Sequence, residues 1–181
     1  MATIPWNYRS PYRPTFQADW KRVISPRRWW ILGAFTGSGL AAGVLASILA
    51  GTGAASHWYA ALHKPAWTPP QWLLGATWLS LTLLAGCAAW RVWLAPHSVE
   101  RRQSLRLYGL QCLLAALWLP LFFVLRSPAA ALVDVTLLLA ALLWMQPRFR
   151  RVDWSAARLL TPYLLSVSFA LLLNLSIVNM N

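Results

Sequence analysis

The sequence predicts an all-α integral membrane protein, a bundle of five transmembrane helices. Hydrophobic residues make up 59% of the 181 residues and charged residues only 11%, whereas a soluble domain averages about 25% charged residues. The apolar residues form long continuous runs rather than alternating with polar ones, which favours membrane helices over barrel strands. The same composition excludes intrinsic disorder of the whole chain.

Five apolar runs are each long enough to cross a bilayer core, which takes about 20 residues in a helix. We expect spans at about 29–51, 70–94, 107–126, 128–147 and 156–179. The first run is too long and starts too late to be a signal peptide. We therefore divide the chain into an N-terminal arm, residues 1–28, and a five-helix transmembrane domain, residues 29–181.

The basic residues predict the orientation of the spans. Fourteen of the sixteen Lys and Arg residues lie in the arm, in the second and fourth connections or at the adjoining span ends, and only Lys64 and Arg126 lie on the other side. Because basic residues favour the cytoplasm, we expect a cytoplasmic N-terminus and a periplasmic C-terminus. The expected location is a bacterial inner membrane, either cytoplasmic or photosynthetic. No folded module presents the basic residues to nucleic acid, so no nucleic-acid partner is expected.

The arm, residues 1–28, combines Pro, Arg and aromatic residues. One interpretation is an interfacial tail, with Arg on lipid phosphates and Trp and Tyr at headgroup depth. The other is a docking arm that orders on a partner protein. Its candidate contact residues have the aromatic and Arg bias of interface hot spots; they are Trp6, Tyr8, Arg9, Tyr12, Arg13 and Trp20.

The first connection, residues 57–70, contains three prolines within six residues: Pro65, Pro69 and Pro70. Proline is poorly tolerated inside a helix, so the segment predicts a stiff, extended loop between the first two spans. Aromatic residues at both ends are typical of a membrane-surface belt. Their density favours a rigid aromatic lid over the mouth of the bundle.

The string from Trp58 to Pro70, with the pattern W-Y-x-x-L-x-K-P-x-W-T-P-P, resembles the signature of the TspO family. This family comprises the tryptophan-rich sensory proteins of bacteria and the translocator (peripheral benzodiazepine receptor) proteins of mitochondria. Further matching segments follow in order along the later spans, and the resemblance covers residues 31–181; these segments are 88–93, 118–123, 131–134, 160–164 and 169–174.

The resemblance implies a pocket that opens under the first loop and binds tetrapyrroles such as porphyrin, or other apolar ligands, in a sensory, regulatory or transport-related role. Trp, Tyr and Phe suit a flat macrocycle because their rings stack on it. No covalent cofactor is expected; porphyrin, bacteriochlorophyll and lipid are the candidate ligands. The candidate ligand-binding residues are Tyr59, Trp67, Pro69, Pro70, Trp78, Trp118, Phe122, Asp134, Tyr163, Phe169 and Asn174.

Three pocket positions depart from the family pattern. Thr82, Ala115 and Ser166 stand where the family has Tyr, Asn and Trp. Smaller side chains there predict a larger, less polar cavity and weaker porphyrin binding, unless neighbouring side chains fill the space. The family's porphyrin photochemistry is linked to the Trp that Ser166 replaces, so light-dependent porphyrin breakdown is not expected.

The altered pocket and the arm favour an alternative function, that of an accessory structural subunit. The chain would then dock through the arm onto a larger membrane complex, such as a photosynthetic reaction centre or light-harvesting complex. Surrounding lipids are expected in either case, and a homodimer is the other candidate assembly. An enzyme is not expected, because the sequence offers no acid–base or nucleophile constellation. Neither Cys87 nor Cys112 has metal-ligand spacing.

Several polar and small residues inside the spans are candidates for a functional or a packing role. Asp134 is the one acid within a predicted span; intramembrane acids are often functional, but a structural hydrogen bond to Tyr163 or a loop amide would also account for it. Asn174 is a candidate interhelical hydrogen-bond donor. Two Gly-x-x-x-Gly pairs, at 33/37 and 39/43, predict close helix packing, either within the bundle or against another subunit.

Overall fold

The computed structural model describes residues 26–50 and 54–181, and every regular element within those ranges is helical. The elements are α1 (Pro26–Ala50), α2 (Ala54–Ala61), α3 (Gln71–Leu94), α4 (Val99–Leu119), the π segment (Pro120–Val124), α5 (Pro128–Val152), α6 (Trp154–Leu159) and α7 (Thr161–Met180). The π-helical segment continues α4, and a one-residue break separates α6 from α7.

Four stretches of the described chain are long and apolar enough to cross a membrane. They are Trp72–Leu94, Val99–Val124, Pro128–Val152 and Trp154–Met180. They correspond to the second to fifth predicted spans and confirm a multi-pass, all-helical membrane protein. The first predicted span falls on α1, which is helical over 25 residues.

Two boundaries differ from the prediction. The third span was expected from residue 107, but α4 begins at Val99, where the Ser98 hydroxyl accepts a hydrogen bond from the Arg101 amide at 3.0 Å. Such a cap satisfies a backbone N–H that lacks a partner inside the helix. The first connection was expected to be extended from residue 57, but it continues as α2 to Ala61, and only residues 62–70 form a loop.

Helix α1 packs closely against α3 at two glycines. A Cβ added to Gly86 would lie 2.8 Å from the Cα of Thr36, and one added to Gly39 would lie 2.6 Å from Cγ2 of Thr82. Small residues permit this backbone approach between membrane helices. Gly39 therefore packs inside the bundle. Added Cβ atoms at Gly33 and Gly37, the other predicted glycine pair of α1, would meet nothing within 4 Å.

The main apolar core lies between α3, α4, α5 and α7. Helix α5 contributes the fully buried Leu138, Leu142, Met145 and Phe149, and α3 contributes Val92. The α5 residues recur at spacings of three or four, so they lie on one face of the helix. That face fixes how α5 packs between α4 and α7.

Polar contacts join helices at both the middle and the end of the bundle. The Tyr108 hydroxyl on α4 donates to the Phe35 carbonyl on α1 at 2.7 Å. At the end of α3, a guanidinium nitrogen of Arg91 lies 3.0 Å from a carboxylate oxygen of Asp153. The other Asp153 oxygen accepts from the Ala156 amide at 2.9 Å and caps α6. The ends of α3, α5 and α6 therefore meet.

Candidate ligand-binding site beneath the first loop

The loop at residues 62–70 is fastened to the end of α7 by Asn181. The Asn181 amide oxygen accepts from the His63 backbone N–H at 3.0 Å, and its amide nitrogen donates to the His63 carbonyl at 2.9 Å. The same nitrogen donates to the Ile177 carbonyl at 2.8 Å. Because His63 and Asn181 are 118 positions apart, these bonds fix the loop to this end of the bundle.

Lys64 connects the loop to α2. Its Nζ donates to the Tyr59 carbonyl, lies 3.4 Å from the Ala60 carbonyl and sits 4.5 Å from the centre of the Tyr59 ring. A cation at a helix C-terminus is stabilised by the helix dipole and by unpaired carbonyls. Burial raises the pKa of the Tyr59 hydroxyl above its ordinary value, so this phenol stays neutral at physiological pH.

The prolines shape the rest of the loop and its exit. The Thr68 amide and hydroxyl both donate to the Pro65 carbonyl, at 3.0 and 2.7 Å, and close a turn. Pro70 has extended backbone, with φ −62° and ψ 146°, at the position before α3. Pro69 and Pro70 therefore lead the chain directly into α3, as the predicted stiff loop requires.

Helix α2 and the end of α4 bring five aromatic side chains together, which we call the aromatic cluster: Trp58, Tyr59, Trp118, Phe122 and Phe123. Trp118 stacks on Phe122 with ring centres 5.1 Å apart, and Trp58 meets Phe122 edge-on at 5.4 Å. Tyr59 lies 6.2 Å from Phe122, which is 1% exposed. Three predicted ligand residues therefore lie side by side, in the stacked and edge-on arrangements that aromatic rings prefer.

The π segment positions the phenylalanines of the aromatic cluster. Pro120 has no backbone N–H, so the regular hydrogen bond of α4 is lost there. The Leu125 amide instead donates to the Pro120 carbonyl at 3.0 Å, and the wider turn carries Phe122 and Phe123 toward α2. Single π turns of this kind occur frequently at functional sites.

Two other pairs of predicted ligand residues lie apart from the aromatic cluster. Trp67 of the loop meets Phe169 of α7 edge-on, with ring centres 5.4 Å apart. Trp78 of α3 meets Tyr163 of α7 at 6.2 Å. The Tyr163 hydroxyl accepts a hydrogen bond from Gln111 Nε2 at 2.8 Å, and this bond is buried. Each of these four rings therefore packs against another aromatic ring in this structure.

A small cavity lies between α1, α3 and α4. It encloses about 10 Å³, room for about one water molecule. Within the described residues, neighbouring side chains therefore leave little space beside Thr82 and Ala115, the condition under which no enlarged pocket was expected. Trp78 is the one predicted ligand residue in its lining, which consists of Gly39, Trp78, Thr82, Ala85, Tyr108, Gln111, Cys112, Ala115 and Ala116.

Asp134 is buried in α5 and 4% exposed, and its Oδ2 has no hydrogen-bond partner in the described part of the chain. The sequence offered Tyr163 as a partner, but the Tyr163 hydroxyl pairs with Gln111. Among the described residues no hydrogen bond joins Asp134 to Tyr163, so this one of the two suggested partners is not borne out.

Asn174 forms the interhelical link that the sequence predicts. With its amide nitrogen directed at α5, Asn174 donates to the Pro128 carbonyl at 3.1 Å, and its oxygen accepts from the Leu132 amide at 3.2 Å. Ser127 caps the same end of α5 by accepting from the Ala130 amide. Asn174 therefore satisfies backbone groups in the first turns of α5 and joins α7 to it.

Sequence reasoning omitted three residues that the structure brings into these groups: Trp58, Phe123 and Tyr108. Trp58 and Phe123 are chain neighbours of the predicted Tyr59 and Phe122, so the same motifs could have included them. Tyr108 lies one turn before Gln111 on the buried face of α4. The predicted partner-binding residues, which all lie between positions 6 and 20, fall outside the described residues. The ligand role of every candidate stays a prediction.

Several apolar helices with aromatic side chains packed beneath a proline-rich loop define the class: a helical integral membrane protein with an aromatic interior. A sequence model of the TspO/MBR family matches residues 35–180. The chain therefore belongs to the TspO/MBR family, as the sequence motifs predicted.

Curated relatives agree with this assignment. The chain is 37% identical over 131 residues to "Tryptophan-rich protein TspO" of Chlorobaculum tepidum, covering 70% of this chain and 81% of the relative. It is 39% identical over 119 residues to the human "Translocator protein", covering 65% and 70%. It is 36% identical over 127 residues to the "Tryptophan-rich sensory protein" of Cereibacter sphaeroides, covering 68% and 77%.

Proposed function

We propose that this protein binds a porphyrin or another flat apolar ligand between its helices and the first loop, in a sensory or transport-related role rather than as an enzyme. The names of the relatives, "Tryptophan-rich sensory protein" and "Translocator protein", support such a role. The observation that carries the proposal is the aromatic cluster, whose stacked and edge-on rings adjoin the loop held by Asn181.

The cavity between α1, α3 and α4 encloses about 10 Å³, far less than the roughly 300–1,000 Å³ that drug-sized ligands occupy. A ligand of that size would enter this cavity only if side chains or the loop moved. The loop is the element best suited to move, because its bonds to Asn181 are solvent-exposed. A ligand that displaced the loop would then reach the aromatic cluster and Trp78.

The test is a titration of protoporphyrin IX against the purified protein, followed by the Soret band so that the readout does not depend on the number of Trp residues. Loss of one aromatic stack, worth about 0.5–1.5 kcal/mol beyond buried area, should weaken binding about 2- to 10-fold in Trp78→Ala and Trp118→Ala. Trp144→Ala is the matched control, since Trp144 is 62% exposed on α5. Equal affinities in all four proteins would refute the site.

We also propose that α1 is a fifth span, with a cytoplasmic N-terminus in the bacterial inner membrane. The fourteen-to-two division of basic residues supports this orientation, and so does the Arg91–Asp153 contact, which joins helix ends that carry Arg residues. An alkaline phosphatase fused after Asn181 should be active in the periplasm. A green fluorescent protein fused at the same point should be dark; the opposite pattern would refute either the odd number of spans or the cytoplasmic N-terminus.

A second candidate function is docking onto a larger membrane complex. Two Arg–Trp pairs with exposed Trp rings support it: Arg148 lies 4.8 Å from the Trp144 ring centre, and Arg150 lies 4.6 Å from that of Trp154. Trp and Arg are enriched at interface hot spots. Deletion of residues 2–25 should release the protein from co-purifying partners while leaving the thermal unfolding midpoint unchanged. Full retention of the partners would contradict docking through the arm.

A further inference from the structure

Arg101 is a buried cation that no described carboxylate neutralises. It lies in the first turn of α4 and is 7% exposed. One terminal nitrogen lies 2.6 Å from His97 Nδ1, and the guanidinium sits 5.5 Å from the centre of the Trp93 ring. Its Nε has no partner in the described part of the chain. Buried charges are usually paired, so this arrangement lacks an anion.

The neighbouring acids do not supply that anion. Asp153 is engaged by Arg91 and by the Ala156 amide. Glu100 points to solvent as an exposed residue and makes no ion pair with Arg101 among the described residues. The His97 nitrogen that accepts from Arg101 is an uncharged acceptor, because the imidazole proton must then lie on the other ring nitrogen.

Two other buried polar atoms without partners belong to residues near Arg101 in the chain. Ser104 lies one turn after Arg101, is fully buried, and its hydroxyl has no partner. The Nε of Arg91, at the end of α3, is also buried without a partner. Three of the four buried polar side-chain atoms that lack partners within the described residues therefore belong to residues 91–104, and Arg101 and Ser104 are one turn apart among the buried residues of α4.

We propose that the junction of α3 and α4, at His97, Arg101 and Ser104, binds the phosphate of an anionic membrane lipid through Arg101. A guanidinium matches phosphate oxygens with two parallel hydrogen bonds, and the positive N-terminal end of α4 adds to the attraction. The junction lies at the ends of two apolar spans, at the depth where lipid headgroups lie and basic residues attract anionic lipids. The site is separate from the aromatic cluster and does not depend on porphyrin binding.

The test measures the thermal unfolding midpoint of the full-length protein in detergent during titration with dioleoylphosphatidylglycerol. Dioleoylphosphatidylcholine and inorganic phosphate are the comparison arms. Phosphatidylglycerol should raise the midpoint more than either. Arg101→Gln should need about tenfold more phosphatidylglycerol for the same rise, a change of about 1.4 kcal/mol. Arg102→Gln, which removes the exposed neighbouring charge, should change the requirement by less than about twofold.

Two further variants keep the proposal testable if Arg101→Gln does not fold. Arg101→Lys retains the charge but loses the two-pronged geometry, and Ser104→Ala removes the unpartnered hydroxyl. Each should reduce the number of phosphatidylglycerol molecules that the protein retains in native mass spectrometry, whereas Arg102→Gln should not.

Three results would overturn the proposal. Equal responses to phosphatidylglycerol and phosphatidylcholine would show that no anionic lipid is selected. An equal response to inorganic phosphate would assign the site to free phosphate. Asp19, in the arm, is the one acid of the chain outside the described residues. Arg101 would be assigned to the arm instead if Arg101→Gln and Arg102→Gln both lost the phosphatidylglycerol response and Asp19→Asn destabilised the lipid-free protein as much as Arg101→Gln does.

Discussion

Replacing Asn181 by Ala should release the first loop. The substitution removes the two hydrogen bonds to His63, at 3.0 and 2.9 Å, and the one to Ile177. A hydrogen bond contributes about 0.5–1.5 kcal/mol net, and exposed bonds lie at the lower end, so we expect a loss of about 1–2 kcal/mol in the free energy that keeps the loop closed. This raises the open population about 5- to 30-fold.

Hydrogen–deuterium exchange of the peptide that covers residues 57–70 measures this directly, because the His63 amide is one of the donors. Exchange should accelerate by the same 5- to 30-fold factor. Asn181→Asp keeps the acceptor for the His63 amide but loses the donor to its carbonyl, so its effect should be intermediate. Asn179→Ala, at an exposed position on the same helix, is the control.

Faster exchange in the loop should accompany faster porphyrin association, with a smaller change in dissociation, because a closed loop reduces the binding-competent fraction. The reasoning is refuted if the loop of Asn181→Ala exchanges at the wild-type rate. Acceleration that spreads equally to α5 and α7 would also contradict it, since that pattern reports global destabilisation rather than a released loop.

Two further substitutions test the packing of the bundle. Tyr163→Phe leaves the buried Gln111 amide without its acceptor, which should cost about 1–3 kcal/mol in unfolding free energy. A double-mutant cycle with Gln111→Met should give a coupling energy of about 0.6–1.7 kcal/mol in unfolding experiments, and strictly additive effects would contradict the bond. Gly86→Val should destabilise the protein by about 1–3 kcal/mol, because the added atoms collide with the Thr36 backbone. Gly75→Val, where an added Cβ would meet nothing within 4 Å, is its control; equal thermal unfolding midpoints for the two variants would refute the close crossing of α1 and α3.

The sequence was sufficient for the class of the fold and for the family. Apolar runs of membrane-spanning length need no tertiary partner to be recognised, since the bilayer itself sets their length. The motif from Trp58 to Pro70 identified the TspO family, which the match over residues 35–180 confirmed. The interhelical role of Asn174 was also readable, because a polar side chain inside a span needs a partner.

The helix ends were less predictable, because they depend on local capping and backbone geometry rather than on hydropathy. The Ser98 hydroxyl caps α4 at its start, Val99, which lies ahead of the apolar run that begins at residue 107. Pro120 widens the helix into a π turn instead of ending it, and α5 continues through Pro147 to Val152. The hydrophobic pattern records none of these effects.

Only the tertiary structure decided which side chains meet. Asn181 bonds to the backbone of His63, which is 118 positions away in the chain. The Tyr163 hydroxyl, which the sequence suggested as a partner of Asp134, accepts a hydrogen bond from Gln111. Thr82 and Ala115 leave room for about one water, because α1 approaches α3 closely at Gly39. The sequence by itself determined that aromatic residues would populate the interior beneath the loop. Their division into an aromatic cluster and separate pairs was decided by how the helices cross, since crossing sets the distances between residues that are remote in the chain.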